Sequence, residues 1–166
     1  MDTTQHTPST TFLPTVRNLE EAWNHADEFS SVLTAGPNRD EVEFDHPDHL
    51  VVSFDDVEDS EWGYQPPTFE QVRKMVEWGR GRENLLVHCH AGISRSTATA
   101  WGIAIANGFD PREAIAALRG RHPHTSFGGR RYRRAFHPNG LIVQHLEQLF
   151  GFPTGHLTEI LEAHLA

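Results

Sequence analysis

The chain has 166 residues, 37% of them apolar, with 23 acidic against 14 basic residues and a formal charge of −9. That is the size of one domain with one core, and its charge excludes general nucleic-acid binding. No apolar run reaches the ~18 residues of a membrane span, and a single cysteine excludes an internal disulfide or a multi-cysteine zinc site.

Residues 1–15 lack the charged and apolar regions of a secretory signal and read as a threonine-rich, flexible tail, leaving 16–166 as the domain. NLEEAWNHADEF (18–29) has the pattern of a short helix. SSVLTA (30–35) is a buried strand stopped by Gly36-Pro37, and HLVVSF (49–54) is a second strand ending in Asp55-Asp56. Thr68 and Gln71 form a capping box at the start of a helix. In that helix Phe69, Val72, Met75 and Val76 share a face. LLVH (85–88) is a short apolar strand leading into Cys89, the only cysteine. From Arg95 the pattern is helical as far as Asn107-Gly108, and Asp110-Pro111 opens the next helix. Residues 119–137 read as a loop rich in Arg, His and Gly, followed by a helix over LIVQHLEQLF (141–150). Strands alternating with helices predict a single-domain α/β fold with a mainly parallel sheet flanked by helices.

The stretch LLVHCHAGISRST (85–97) carries the chemistry. It places a cysteine at the carboxyl end of a strand, then a loop of small residues, then a helix N-terminus. Ligands of open α/β sheets bind at that edge. Backbone N–H groups of such a loop, with the helix dipole behind them, make an anion site. Gly92 permits the tight turn, and Arg95 adds a planar fork for two phosphate oxygens. Cations and helix N-termini depress thiol pKa values. Cys89 is therefore expected to be a thiolate at the floor of a phosphate-binding loop, aimed at phosphorus.

His88-Cys89-His90-Ala91-Gly92-Ile93-Ser94-Arg95-Ser96 has the form H-C-x5-R-S. It resembles the signature loop of the cysteine-dependent protein tyrosine phosphatases, most of all the dual-specificity branch. The resemblance runs from about residue 50 to 150 and includes Pro138-Asn139 and Gln144. It implies a phosphomonoester hydrolase that needs no cofactor and acts on phosphorylated protein or a small phosphomonoester. It also implies roles. Cys89 attacks phosphorus and Arg95 holds the equatorial oxygens. The amides of His90, Ala91, Gly92, Ile93, Ser94 and Arg95 complete the cradle. Ser96 assists departure of the thiolate, His88 tunes the thiol, and Asn139 braces the loop.

The leaving group needs a proton from a carboxylic acid, which in the family lies some thirty residues before the cysteine. Asp56 is 33 residues upstream of Cys89 and Asp55 is 34. As strand-end neighbours they point to opposite sides. The spacing favours Asp56, with Asp55 as the alternative.

The twelve histidines are scattered, and their expected roles are at the surface and in caps, with no metal site. Two departures from the family pattern stand out. Fourteen residues separate Pro123 from Pro138, including the arginine-rich GGRRYRRAF (128–136), an exposed loop or a basic rim that steers anions. Residues 90–94 contain no lysine, which tilts the expected substrate toward phosphoproteins. A reactive lone thiol fits a cytoplasmic location, with no membrane or nucleic-acid partner. The intact Cys, Arg and Ser argue against a phosphopeptide-binding pseudophosphatase.

Overall fold

A computed structural model describes residues 6–122, 126–127, 130–131 and 136–165. Its main sheet has four parallel strands in the order β1 (Thr15–Arg17), β4 (Leu85–His88), β2 (Ser31–Gly36), β3 (His49–Ser53). The helices are α1 (Leu19–His25), α2 (Phe69–Gly79), α3 (Arg95–Ala106), α4 (Pro111–Arg121), α5 (Gly140–Phe150) and α6 (His156–Leu165). A second small sheet pairs β5 (Ser126–Phe127) with β6 (Arg130–Arg131).

The central strands β2 and β4 are buried on both faces, which is why apolar residues dominate them instead of alternating with exposed polar ones. The helix signals act as the sequence suggests. Thr68 and Gln71 cap each other at the start of α2, and Val72, Met75 and Val76 bury its apolar face. Asp110 caps α4 by accepting from the N–H groups of Arg112 and Glu113. α3 is buried at every position from Ser96 to Ala104. Such a helix is a central pillar rather than a surface element. Trp101 sits in it fully buried, donating through Nε1 to the carbonyl of Pro111 at 2.9 Å.

Three elements differ from the sequence reading. The helix expected over 18–29 is α1 followed by a 3-10 turn at Ala26–Glu28, and Asn18 and Glu21 form its capping box. The tail expected over 1–15 does not extend to its last residues. Thr11 O accepts from Asn84 N, Phe12 O accepts from Asn107 Nδ2 at 2.9 Å, and Leu13 is buried in the core. Thr15–Arg17 then becomes an edge strand, too short to show a period of two. α6 has no counterpart among the elements expected from the sequence, and its Leu157, Ile160 and Leu161 pack into the core. Residues 1–5 lie outside the described residues.

Close approach of α3 to α5 depends on Gly102, where a Cβ would overlap Leu146 Cδ2 in a fully buried contact. Gly102→Ala is expected to destabilise the fold by roughly 1–3 kcal/mol. Gly120, exposed in α4 with open space around it, gives the opposite sign: Gly120→Ala stabilises by about 0.5 kcal/mol. Urea midpoints with unchanged slope measure both, and a neutral Gly102→Ala would show that α3 and α5 can separate freely.

Candidate active site

The carboxyl ends of all four strands meet at one edge. β4 delivers Cys89 there, and the chain turns through residues 90–94 into α3. The carbonyls of that turn are held outward one after another. His90 O accepts from Leu19 N at 2.9 Å, and Gly92 O lies 2.7 Å from His122 Nε2. Ile93 O accepts from His137 N and from the Thr97 hydroxyl. Ser94 O accepts from Asn139 N at 3.1 Å and from Ala98 N at 3.2 Å. In a trans peptide the N–H points opposite to the C=O. Anchoring these carbonyls outward therefore turns the N–H groups of Ala91, Ile93, Ser94 and Arg95 toward the inside of the turn.

Cys89 Sγ lies at the base of this ring of donors. It is 2% exposed, accepts from Gly92 N at 3.2 Å, and has Ser96 Oγ 3.1 Å away. Gly92 makes the turn possible, with φ +69 and no room for a Cβ, which would sit 2.8 Å from the backbone of Arg17 and Asn18. The edge of β1 therefore presses directly on the loop.

Arg95 closes the ring from the other side. Its Nη1 donates to Phe54 O at 2.9 Å, while its buried Nε has no partner among the described residues. A buried guanidinium N–H without a partner is costly, and this one belongs to a group built to bind oxyanions. The guanidinium reaches its place because Gly36, at φ +112, has no side chain to block it.

The two candidate acids part company. The backbone N–H of Asp55 donates to Gln65 O, and Asp55 Oδ2 accepts from Gln65 N, each at 2.7 Å. That carboxylate closes the loop from Asp55 to Gln65. Asp56 faces the turn, and its Oδ1 accepts from Ser94 Oγ at 2.8 Å and from Asn139 Nδ2 at 3.0 Å. Asn139 also caps α5 through Ile142 N, so one residue ties the acid loop, the 89–95 turn and a helix together. Ser94 stands at the N-cap of α3, yet its side chain makes no capping bond; its hydroxyl goes to Asp56 instead.

A cleft of about 670 Å³ opens beside this group, lined in part by Arg95, His90, Asp56 and Tyr64. The His90 ring turns to the rim, where Nε2 lies 2.6 Å from the Glu41 carboxylate. Ala91 is exposed beside it.

Behind Cys89, His88 is fully buried. Its Nε2 lies 2.7 Å from Thr34 Oγ1 and its Nδ1 3.3 Å from Cys89 O. Burial holds its pKa down at about 4, helped by the nearby His49 and His90. His49 is also held at about 4, first by burial and then by the Arg39 guanidinium.

The sequence passes over several of these contacts. Gly36, Phe54, His122 and Thr34 come from four separated segments, and no local pattern marks them. His137, grouped in sequence only with other scattered histidines, contributes a backbone N–H. The side chains of 128–135, and with them the basic rim expected there, lie outside the described residues. Among the described residues no group of three or more His, Cys, Asp or Glu could hold a metal ion, and no helix is long and apolar enough to cross a membrane.

Most of the chain resembles solved structures at low identity. It matches the crystal structure of DUSP15 with a TM-score of 0.58 over 94% of both chains, at 18% identity. This is the fold of the dual-specificity phosphatases. The human tyrosine phosphatase-like serine/threonine/tyrosine-interacting protein aligns at a TM-score of 0.56 and 19% identity, over 84% of this chain and 91% of that one. The Cydia pomonella PTP-2 phosphatase aligns at 0.53 and 19%, over 80% and 83%. Among curated proteins, the MAP kinase phosphatase with leucine-rich repeats protein 1 of Dictyostelium discoideum is 33% identical over 84 residues. That match covers 48% of this chain, and the chain spans only 10% of that protein's length. No protein-family model matches the chain.

The two neutral histidines make stability depend on pH. In the unfolded chain each titrates near 6.5, and in the folded protein near 4. Between those values the unfolded state binds more protons, so stability is full above about pH 6.5 and falls as pH drops toward 4. The slope is about 1.4 kcal/mol per pH unit for the fully buried His88, and less for the partly exposed His49. Urea midpoints at pH 6.5, 5.5 and 4.5 measure it, and His49→Gln is expected to flatten the curve. Equal midpoints at pH 6.5 and 5.5 would mean that neither ring is held neutral.

Proposed function

We propose that the chain is a protein tyrosine phosphatase, with dual specificity as the finer possibility, that hydrolyses phosphomonoesters through a phosphocysteine intermediate. The observation that carries this reading is the position of Cys89 Sγ. It lies at the floor of a loop in which the carbonyls of His90, Gly92, Ile93 and Ser94 are bonded outward, beside an Arg95 Nε with no partner among the described residues.

The Cys89 thiolate attacks phosphorus in line with the ester oxygen. The P–O bond breaks, its electron pair stays on the departing oxygen, and Asp56 supplies that oxygen with a proton. Ser94 and Asn139 both donate to Asp56 Oδ1, so Oδ2 is the oxygen that carries the proton. Arg95 and the N–H groups of residues 90–95 hold the equatorial oxygens as charge develops on them. Water then attacks the phosphocysteine and gives its proton to Asp56. The P–S bond breaks, and the hydroxyl of Ser96, 3.1 Å from Sγ, donates to the returning thiolate. Asn139 positions Asp56, and His88 acts through the Cys89 carbonyl.

Phosphorylated protein is the favoured substrate. Resemblance to a relative named a MAP kinase phosphatase supports it, as does the absence of lysine in residues 90–94. A phosphate- or phosphopeptide-binding module is the competing reading, because the fold is shared with a protein named phosphatase-like.

Turnover decides between them. With p-nitrophenyl phosphate and reducing agent, the parent is expected to release phosphate. Cys89→Ser lowers the rate by roughly 10³-fold or more, and Asp56→Asn by roughly 10²–10⁴-fold, more on aryl phosphates with poorer leaving groups. Asp55→Asn keeps an acceptor for Gln65 N and stays near the parent rate. Phosphotyrosine and phosphoserine peptides then separate tyrosine from dual specificity. A parent that binds vanadate but releases no phosphate would make the chain a binding module.

A further inference from the structure

Behind Cys89 a row of polar groups crosses from the surface to the nucleophile's own backbone, and hydrogen-bond stoichiometry fixes its direction. The Cys89 carbonyl has no proton, so His88 Nδ1, 3.3 Å away, is the donor. Burial keeps His88 neutral, and a neutral imidazole carries one N–H. Its Nε2 is therefore a bare acceptor. The hydroxyl of Thr34, 2.7 Å away and fully buried, must give it a proton. That uses the only proton Thr34 has. His49 Nε2, also 2.7 Å from Thr34 Oγ1, must then be the donor to it. The neutral His49 ring is left with a bare Nδ1, which accepts from Arg39 Nη1 at 3.3 Å.

The fold holds this row in place. Thr34 and His88 are register partners on β2 and β4, and His49 opens β3 next to them. Phe44 stacks on the His49 ring at 5.4 Å and tilts over His88 at 5.6 Å.

We propose that Arg39, His49 and Thr34 are positioning residues for Cys89. They form a one-way hydrogen-bond chain, Arg39 to His49 to Thr34 to His88 to the Cys89 carbonyl, that turns the His90 N–H into the phosphate-binding loop. The Cys89 carbonyl shares its peptide with the N–H of His90, so bonding the one outward sends the other inward. This adds the first peptide of the loop to those anchored by Leu19, His122, His137 and Asn139. The effect on turnover rests on Cys89 being the nucleophile; the direction of the chain does not.

Two measurements test it. Long-range proton–nitrogen NMR of the full chain at pH 7 should find the Nδ1–H tautomer at His88 and the Nε2–H tautomer at His49. The opposite tautomer at either ring overturns the chain. Thr34→Val, which keeps shape and removes the hydroxyl, should release the His88 tautomer, weaken vanadate binding, and lower kcat on p-nitrophenyl phosphate roughly ten- to hundredfold. Thr34→Ser should restore most of each loss. His49→Gln, which keeps a donor facing Thr34, should cost less than His49→Leu. Thr34→Val with parental vanadate affinity and an unchanged unfolding midpoint overturns the positioning role. Should the parent itself release no phosphate, the phosphatase reading fails alone, and the tautomers and vanadate affinities still decide this one.

Discussion

The site depends on one constraint: every carbonyl described between His90 and Ser94 with an outward partner must keep it. A short loop has no preference of its own for pointing its N–H groups to one side. Five separated parts of the chain impose that preference here. They are the start of α1, the end of α4, the approach to α5, the cap of α5 and the first turn of α3. Losing any one lets a peptide flip and turns a carbonyl oxygen inward in place of an N–H donor. This also explains why the domain needs all of its layers around a loop of a few residues.

Arg95 and the acid loop obey the same logic from the opposite wall. The guanidinium is held by Phe54 O at the end of β3 and passes over Gly36 at the end of β2. Two strand ends therefore set its height. Asp56 is bonded to Ser94 within the turn itself. The Asp56 loop and the 89–95 turn are thus mechanically joined, and movement of one is transmitted to the other. Asp55, one residue away, spends its carboxylate on shaping the loop that presents Asp56.

Burying two imidazoles and a hydroxyl next to Cys89 is costly unless all of them are satisfied. Here each group finds a partner, and the cationic end of the row stays at the surface. The two rings remain neutral at the expense of stability at low pH. The arrangement trades acid tolerance for a fixed backbone at Cys89.

The sequence by itself determined the elements whose signals are local. Capping at Thr68 and Asp110, the apolar runs of the central strands and the cysteine-to-arginine spacing all act within a few residues, so they were legible without the fold. So was the class of fold, because alternating strands and helices leave few ways to bury both faces of a sheet. Tertiary structure alone decided the rest. β1, three residues long, has too little local pattern and is held by pairing with β4. The different surroundings of Asp55 and Asp56 depend on Gln65, Ser94 and Asn139, which lie up to 83 residues away in sequence. Thr34, His49 and His122 are ordinary residues in sequence. They acquire roles because parallel pairing and helix packing bring them within hydrogen-bond reach of the loop, a distance that no spacing along the chain encodes.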